Sequence, residues 1–165
     1  KLAEFVRQVP GVGLAVSLNA ADDVTRGRIM PVNRKWNLDA LLKVCRDLPI
    51  PERRRITFEY VLIGGINDKK EDASRLAHLL RGIQCKVNLI PWNPFSGAPI
   101  ERPPLHRIEE FQQILVQSGY TATVRRSKGM DIGAACGQLI DLKRLDRSSA
   151  EHKAENILTI DRLPN

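Results

Sequence analysis

One cysteine of this chain stands among unusually small side chains. Cys136 lies within residues 131–140, DIGAACGQLI, where two glycines and two alanines surround the thiol. Small neighbours leave the backbone free and give the sulfur little steric cover. The cations Arg125, Arg126 and Lys128 would favour its thiolate, the nucleophilic form of cysteine. From the residues alone, two interpretations stay open: an approachable, reactive thiol, or a tight turn that needs small residues.

The other two cysteines have ordinary contexts. Cys45 falls on the apolar stripe of an expected helix and Cys85 opens an expected strand, so we predict that both are structural. Three widely spaced cysteines make no disulfide framework, and no pair has the C-x-x-C spacing of a metal site. We therefore expect a reduced, cytoplasmic setting and no metal site in this chain.

The elements that would position these residues repeat one pattern three times: an apolar run, a polar loop and an amphipathic helix. Such alternation predicts an α/β fold with parallel strands. Strands are expected at residues 12–20, 55–65, 85–94 and 120–126, with helices at 38–48, 67–80 and 105–119. The segment between the first strand and the first helix is expected to be a polar loop.

Local signals predict where the helices begin and end. Asn37 is the expected N-cap of the first helix. Asp68, with Glu71 three positions on, has the pattern of a capping box at the second. Gly119 is expected to stop the third. The apolar stripe of that third helix is expected at Leu105, Ile108, Phe111 and Leu115.

Small polar side chains occur where each strand is expected to end. In parallel sheets, ligands gather at the carboxyl ends of the strands. The three units would therefore bring hydrogen-bonding groups to one edge of the sheet, although from the residues alone ordinary strand-end polarity is the favoured explanation of Ser17 and Asn19. No histidine or pair of carboxylates joins them, which disfavours hydrolytic chemistry. The residues are Ser17, Asn19, Asn67, Asp68, Asn88 and Asn93.

Charge supplies the next indication. The formal net charge is +7, with a pI near 9.7, which suits a polyanionic partner such as nucleic acid but also an ordinary solvated surface. No apolar run is long enough to span a membrane, so we expect no membrane association.

Three motifs resemble the C-terminal half of the radical S-adenosylmethionine RNA adenosine methyltransferases: CKVNLIPWNP, SKGMDIGAACGQL and FEYVLIGGIND. The resemblance runs from residue 12 to residue 139. It implies that residues 1–140 are the last three β-α units of a partial (βα)6 radical-SAM barrel, followed by a C-terminal strand and the cysteine loop. Residues 141–165 are expected to be a polar, partly flexible extension.

This family methylates carbon 2 of an adenosine in 23S ribosomal RNA and, in some members, in transfer RNA. By the resemblance, Cys136 takes a methyl group from one S-adenosylmethionine. A second S-adenosylmethionine, cleaved at a [4Fe-4S] cluster, then yields the radical that activates the S-methyl group for addition to the adenine ring. The methylcysteine would thus be an intermediate that links cofactor and RNA.

The resemblance also assigns cofactor contacts. Ser17, Leu18 and Asn19 of SLNA, and Asn93 of PWNP, match positions that contact S-adenosylmethionine. Asn19 stands where the family has histidine, so a hydrogen-bonding side chain is kept but a titratable one is lost. Gly133 replaces a common acidic residue, which changes the charge beside the cysteine.

The sequence contains no C-x-x-x-C-x-x-C, so the cluster ligands would have to lie elsewhere in a longer parent protein. We expect the isolated chain to be inactive. Its first strand would be an unpaired edge, which predicts association with the missing half or with another copy. The alternative is a stand-alone basic α/β module that binds RNA or a protein without catalysis.

Overall fold

The computed structural model describes residues 2–8, 12–94 and 100–125. The cysteine loop and the extension at 141–165 lie outside these residues, so the expected boundary at residue 140 stays a prediction. The helices are α1 (Leu2–Gln8), α2 (Asp23–Ile29), α3 (Leu38–Arg46), α4 (Lys70–Leu79) and α5 (Leu105–Gln117). The strands are β1 (Ala15–Ser17), β2 (Ile56–Leu62), β3 (Cys85–Pro91) and β4 (Thr121–Val124).

The strands form one sheet in the order β1-β2-β3-β4, and every pair is parallel. The expected α/β class and the three strand–helix units are therefore confirmed. Within the described residues, β1 and β4 are the two edge strands. All carboxyl ends of the strands point to the same side, which is the edge where a ligand site is expected.

Side chains alternate between the two faces of the sheet. On β2, Ile56, Phe58, Tyr60 and Leu62 are fully or almost fully buried against the helices, whereas Thr57, Glu59 and Val61 face the other way and are only half buried. The rings of Tyr60 and Phe111 meet with their centroids 5.2 Å apart. Cys45 and Cys85 belong to the same core, as predicted.

The segment between β1 and α3 differs from the prediction. It was expected to be a loop, but it folds into α2 and a short 3-10 helix, Pro31–Arg34. The carboxylate of Asp22 caps α2 by accepting from the N–H of Thr25 at 2.7 Å, and Ile29 is fully buried. Strand β1 is also shorter than predicted, since Asn19 has φ 60, a left-handed conformation that ends the strand.

Two of the predicted helix ends are confirmed. The carboxamide of Asn37 accepts from the N–H of Ala40 at 3.0 Å at the start of α3. Gly119 follows α5 with φ 89, as expected of the residue that ends a helix.

Two predictions about helices are wrong. Helix α4 is capped at Lys69, whose N–H donates to Asp72 at 3.1 Å, because the carboxylate of Asp68 instead accepts from the N–H of Gly65. On α5, Leu105 is 69% exposed, since it opens the helix beyond the reach of the sheet, while the rest of the stripe is buried.

Candidate functional site

One side chain at the end of β1 is open to solvent. Ser17, the last residue of β1, is exposed. Leu18 is 0% exposed and packs in the core, its N–H donates to the carbonyl of Glu59 at 2.9 Å, and its own carbonyl is already hydrogen-bonded. Of these two residues predicted to contact a cofactor, only Ser17 presents a side chain with free hydrogen-bonding capacity.

The side chain of Asn19 is directed into the protein. Its Oδ1 accepts from the N–H of Val61 at 3.0 Å, and its Nδ2 lies 3.3 Å from the sulfur of Met30. The residue is 8% exposed. Its carboxamide therefore ties the end of β1 to β2, and a ligand at this position would meet the backbone of the segment before it met the carboxamide.

Asn67 holds the same segment from the other side. It is 1% exposed, and its Nδ2 donates to the carbonyls of Asn19 and Val61, both at 2.7 Å. Its Oδ1 accepts from the N–H of Ile63 at 2.7 Å. With both donors and the acceptor engaged, Asn67 acts as a clamp between β1 and β2 and not as the open rim residue that the sequence predicted.

Asp68 is also unavailable to a ligand. Its carboxylate is 2% exposed, accepts from the N–H of Gly65 at 3.0 Å and lies 4.0 Å from the guanidinium of Arg107. It was predicted as an open rim residue as well as an N-cap. Its actual position is beneath the turn that follows β2.

A buried arginine that no sequence pattern marks completes the support of this segment. Arg26 is 3% exposed; its Nε donates to the carbonyl of Leu18 at 3.0 Å, and its Nη1 donates to Asn33 at 2.6 Å and to the carbonyl of Trp36 at 3.0 Å. Desolvation lowers the pKa of Arg26, partly offset by the nearby charge of Asp23. The residues of the unrecognised helix α2 carry this contact.

Asn93 lies two residues beyond β3 and is half buried. Its carboxamide makes only a long contact, 3.4 Å, with Arg102. The neighbouring Trp92 continues the ladder to the carbonyl of Leu62 at 2.8 Å and is 1% exposed. Asn93 thus retains hydrogen-bonding capacity at the carboxyl edge.

A small apolar cluster joins the two motifs at this edge. Ala20 of SLNA and Trp92 of PWNP pack in it together with Ile29, Ile63 and Ile100. Distant parts of the sequence are therefore brought to one place. The cluster is separate from the larger core on the helix side of the sheet.

Asn88 was predicted at the edge but lies in the middle of β3. The register aligns Ser17, Glu59, Asn88 and Thr123 as one polar row across the four strands, spaced about 4.8 Å from strand to strand. The hydroxyl of Thr123 lies 3.4 Å from the carboxamide of Asn88. Among the described residues, the carboxylate of Glu59 has no hydrogen bond or ion pair. This row of polar side chains therefore includes hydrogen-bond acceptors that the described residues do not use.

The described cysteines do not fit an iron–sulfur cluster. Cluster ligands are thiolates, whereas burial raises the pKa of the Cys45 thiol and raises that of Cys85 to about 11. Across residues 2–8, 12–94 and 100–125, no group of three or more His, Cys, Asp or Glu side chains is placed to hold a metal ion. Cys136 and Gly133 lie outside the described residues.

Within residues 2–8, 12–94 and 100–125, no helix is both long enough and apolar enough to cross a membrane.

No family model matches the chain. Among curated proteins, it is 53% identical to the dual-specificity RNA methyltransferase RlmN of Desulfosudis oleivorans over 134 residues, 81% of this chain and 36% of that protein. It is 56% identical to the protein of that name from an Anaeromyxobacter species, over 78% of this chain and 34% of the relative. The chain therefore spans about a third of the length of these relatives.

Solved structures agree with this result. A radical SAM methyltransferase from Sphaerobacter thermophilus superposes with a TM-score of 0.74 at 46% identity, over 85% of this chain and 42% of that one. A domain of a pyruvate-formate lyase-activating enzyme from Bacteroides vulgatus, at 20% identity and a TM-score of 0.57, shares the fold. It covers 74% of each chain.

In sequence and in fold, the chain is similar to one portion of a radical S-adenosylmethionine methyltransferase. Within that class, its curated relatives at about half identity carry the name of the dual-specificity RNA methyltransferases, so the resemblance expected from the three motifs is confirmed. The partial coverage agrees with a match to one portion of a longer protein.

Proposed function

We propose that the full-length protein is an RNA methyltransferase that modifies carbon 2 of adenosine in 23S ribosomal RNA and in transfer RNA. The observation that carries the proposal is the joining of SLNA and PWNP through one apolar cluster in a chain about half identical to dual-specificity RNA methyltransferases. The net charge of +7 suits an RNA substrate. Cys45 and Cys85, both free thiols, suit the reducing cytoplasm.

The carboxyl edge fits S-adenosylmethionine, which supplies the methyl group when bound. The exposed hydroxyl of Ser17 and the weakly engaged carboxamide of Asn93 are free to bind its hydroxyl, amino or carboxylate groups. Leu18 and Asn19 would contribute the backbone between them, held in place by Arg26 and Asn67. These residues bind and orient the cofactor in the proposal.

Cys136 is proposed as the methyl carrier. Its thiolate would attack the methyl carbon of a bound S-adenosylmethionine: a bond would form between Sγ and that carbon, the bond from the carbon to the sulfonium sulfur would break, and S-adenosylhomocysteine would leave. The S-methyl group would then lose one hydrogen atom to a radical from a second S-adenosylmethionine, its carbon would bond to carbon 2 of adenosine, and carbon 2 would lose its proton and one electron. A second cysteine of the full-length protein would break the bond between that carbon and Sγ by forming a disulfide with Cys136. That second transfer depends on a [4Fe-4S] cluster, which the described residues do not fit and which the proposal assigns to another part of the full-length protein. The isolated chain is expected to be inactive.

The test is a chimera in which this chain replaces the matching region of the full-length Anaeromyxobacter relative. We expect 2-methyladenosine in ribosomal RNA, measured by mass spectrometry of nucleosides from a host that lacks its own enzyme. Cys136→Ala should abolish it. The matched control, Cys45→Ala, removes a core thiol that is 2% exposed and should retain methylation.

Two outcomes would contradict the proposal. Methylation by the Cys136→Ala chimera would remove the carrier role. A folded, cluster-loaded chimera that binds RNA but leaves it unmethylated would instead favour the binding module without catalysis. The basic charge of the chain supports that second candidate function, RNA binding without catalysis.

A further inference from the structure

A large aromatic side chain is exposed on the turn whose backbone Arg26 connects to that of Leu18. Trp36 follows the 3-10 helix and is 55% exposed. Its backbone is fixed from two sides: its N–H donates to the carbonyl of Val32 at 3.0 Å, and its carbonyl accepts from the buried guanidinium of Arg26 at 3.0 Å. Because the backbone of Trp36 is already ordered, binding a partner at the indole would cost this chain little further backbone conformational entropy.

The surroundings of this indole are cationic. Arg34 and Lys35 are exposed, and the Lys35 ammonium lies 5.6 Å from the centroid of the Trp36 ring. Among the nearby acids, Asp22 accepts from the N–H of Thr25 at 2.7 Å, and Asp23, although exposed, accepts from the N–H of Leu38 at 2.9 Å. Asp39 is exposed in the first turn of α3, so Asp23 and Asp39 are the counter-charges near the turn. The turn therefore presents an exposed indole, with the Lys35 ammonium over its ring, beside Arg34; neither cation has a salt bridge to an acid among the described residues.

A protein partner would use such a ring as an apolar anchor, but it would gain little from two unpaired cations. A single-stranded nucleic acid uses both features, because a base stacks on the ring while the neighbouring phosphates meet the cations. The charge of +7 on the whole chain points to the same partner. The turn is also tied to the candidate cofactor segment, because the guanidinium of Arg26 donates to the carbonyls of both Leu18 and Trp36.

We infer that Trp36, Arg34 and Lys35 form a stacking platform for one unpaired base of the RNA. The inference rests on the proposed function for the identity of the partner and goes beyond it in naming the contact surface. Trp36 stacks on the base, and the two cations bind the phosphates on either side. This contact positions RNA; it takes no part in methyl transfer.

The test uses the two tryptophans of the chain. Trp36 is 55% exposed and Trp92 is 1% exposed, so iodide quenches the first selectively. A short single-stranded oligoadenylate is titrated into the 165-residue chain, and the expected result is loss of the iodide-accessible emission. Trp36→Ala should weaken binding about tenfold, and Trp36→Tyr should restore most of the affinity because tyrosine also stacks.

Two further variants and a control separate stacking from charge. Arg34→Gln and Lys35→Gln should each lower the slope of log affinity against log salt by about 0.7, the value for one phosphate of a single strand. Leu105→Ala removes a side chain that is 69% exposed on α5 and should leave binding unchanged. Inorganic polyphosphate, which has charge but no base, should bind Trp36→Ala as tightly as the unaltered chain.

Equal RNA affinity of Trp36→Ala and the unaltered chain would overturn the inference, as would an equal loss of polyphosphate binding. Failure of the unaltered chain to bind the oligoadenylate would overturn it as well. None of these results contradicts the proposed function, which the methylation assay of the chimera tests separately. Conversely, base-dependent binding to Trp36 in a chimera that never methylates would contradict the proposed function alone.

Discussion

Different interactions hold the helix-covered face of the sheet and the backbone at its carboxyl edge. On the helix side, Tyr60, Leu76 and Phe111 are 0% exposed and pack as apolar surface. At the edge, Asn67 and Arg26 hold the backbone of residues 17–20 through directed hydrogen bonds. Apolar packing tolerates small shifts, whereas a clamp of hydrogen bonds fixes backbone atoms in place. The edge is therefore the part suited to present a cofactor segment.

The largest effect is expected on the helix side. Phe111→Ala should lower the free energy of unfolding by about 4 kcal/mol, because it removes a ring that is 0% exposed and leaves a cavity beside Tyr60. Urea unfolding followed by circular dichroism measures the change. Leu105→Ala, on the same helix but 69% exposed, should change it by less than about 0.5 kcal/mol. Similar losses in the two variants would show that α5 does not pack as described.

A smaller but more local effect is expected at the edge. Asn67→Leu leaves the carbonyls of Asn19 and Val61 and the N–H of Ile63 without partners, which should cost about 3 kcal/mol. The exposed amide of Gln113 on α5 supplies the control, since Gln113→Leu removes an amide with no partner among the described residues and should be nearly neutral.

Amide hydrogen exchange sharpens this comparison. Asn67→Asp keeps the oxygen that accepts from the N–H of Ile63 but loses both donations to the carbonyls. The Ile63 amide should therefore stay protected in Asn67→Asp and exchange faster in Asn67→Leu. Equal exchange in the two variants would mean that Asn67 acts through its volume and not through its hydrogen bonds.

The smallest effect is expected from pH. Burial raises the pKa of Cys85 from its ordinary value near 9 to about 11. The unfolded chain therefore loses this proton first, so the stability contribution is complete below pH 9 and is lost as the pH rises towards 11. Cys85→Ala should show a shallower decline in unfolding free energy over this interval, measured by urea titration. An unchanged decline would indicate that the buried tyrosines account for it, since burial also raises the pKa of Tyr60.

The helix-side core could be predicted because it depends on periodicity. Helices α3, α4 and α5 and the strands beside them follow patterns that any apolar residue can satisfy, and the resulting fold is insensitive to single identities. Cys45 and Cys85 were placed correctly for this reason. The error at Leu105 arose because periodicity does not show where the facing surface ends.

The edge could be predicted only in outline. Ser17 and Asn93 were found as strand-end polar residues, but Asn67 and Asp68, expected as open polar residues at the same edge, are both engaged within the protein. Arg26 gave no signal, because a buried arginine has the same sequence appearance as a solvated one. Its role depends on the carbonyls of Leu18 and Trp36, and backbone acceptors carry no residue code.

One guanidinium bonding two carbonyls has a consequence for protein engineering. Because Arg26 bonds Leu18 and Trp36 together, the turn that carries the indole is not a portable module. Grafting residues 31–37 onto another barrel would transfer the side chains but not the support that orders them. A donor segment that begins at residue 18 and ends at residue 36 is the shortest transplant that contains both carbonyls and the arginine between them.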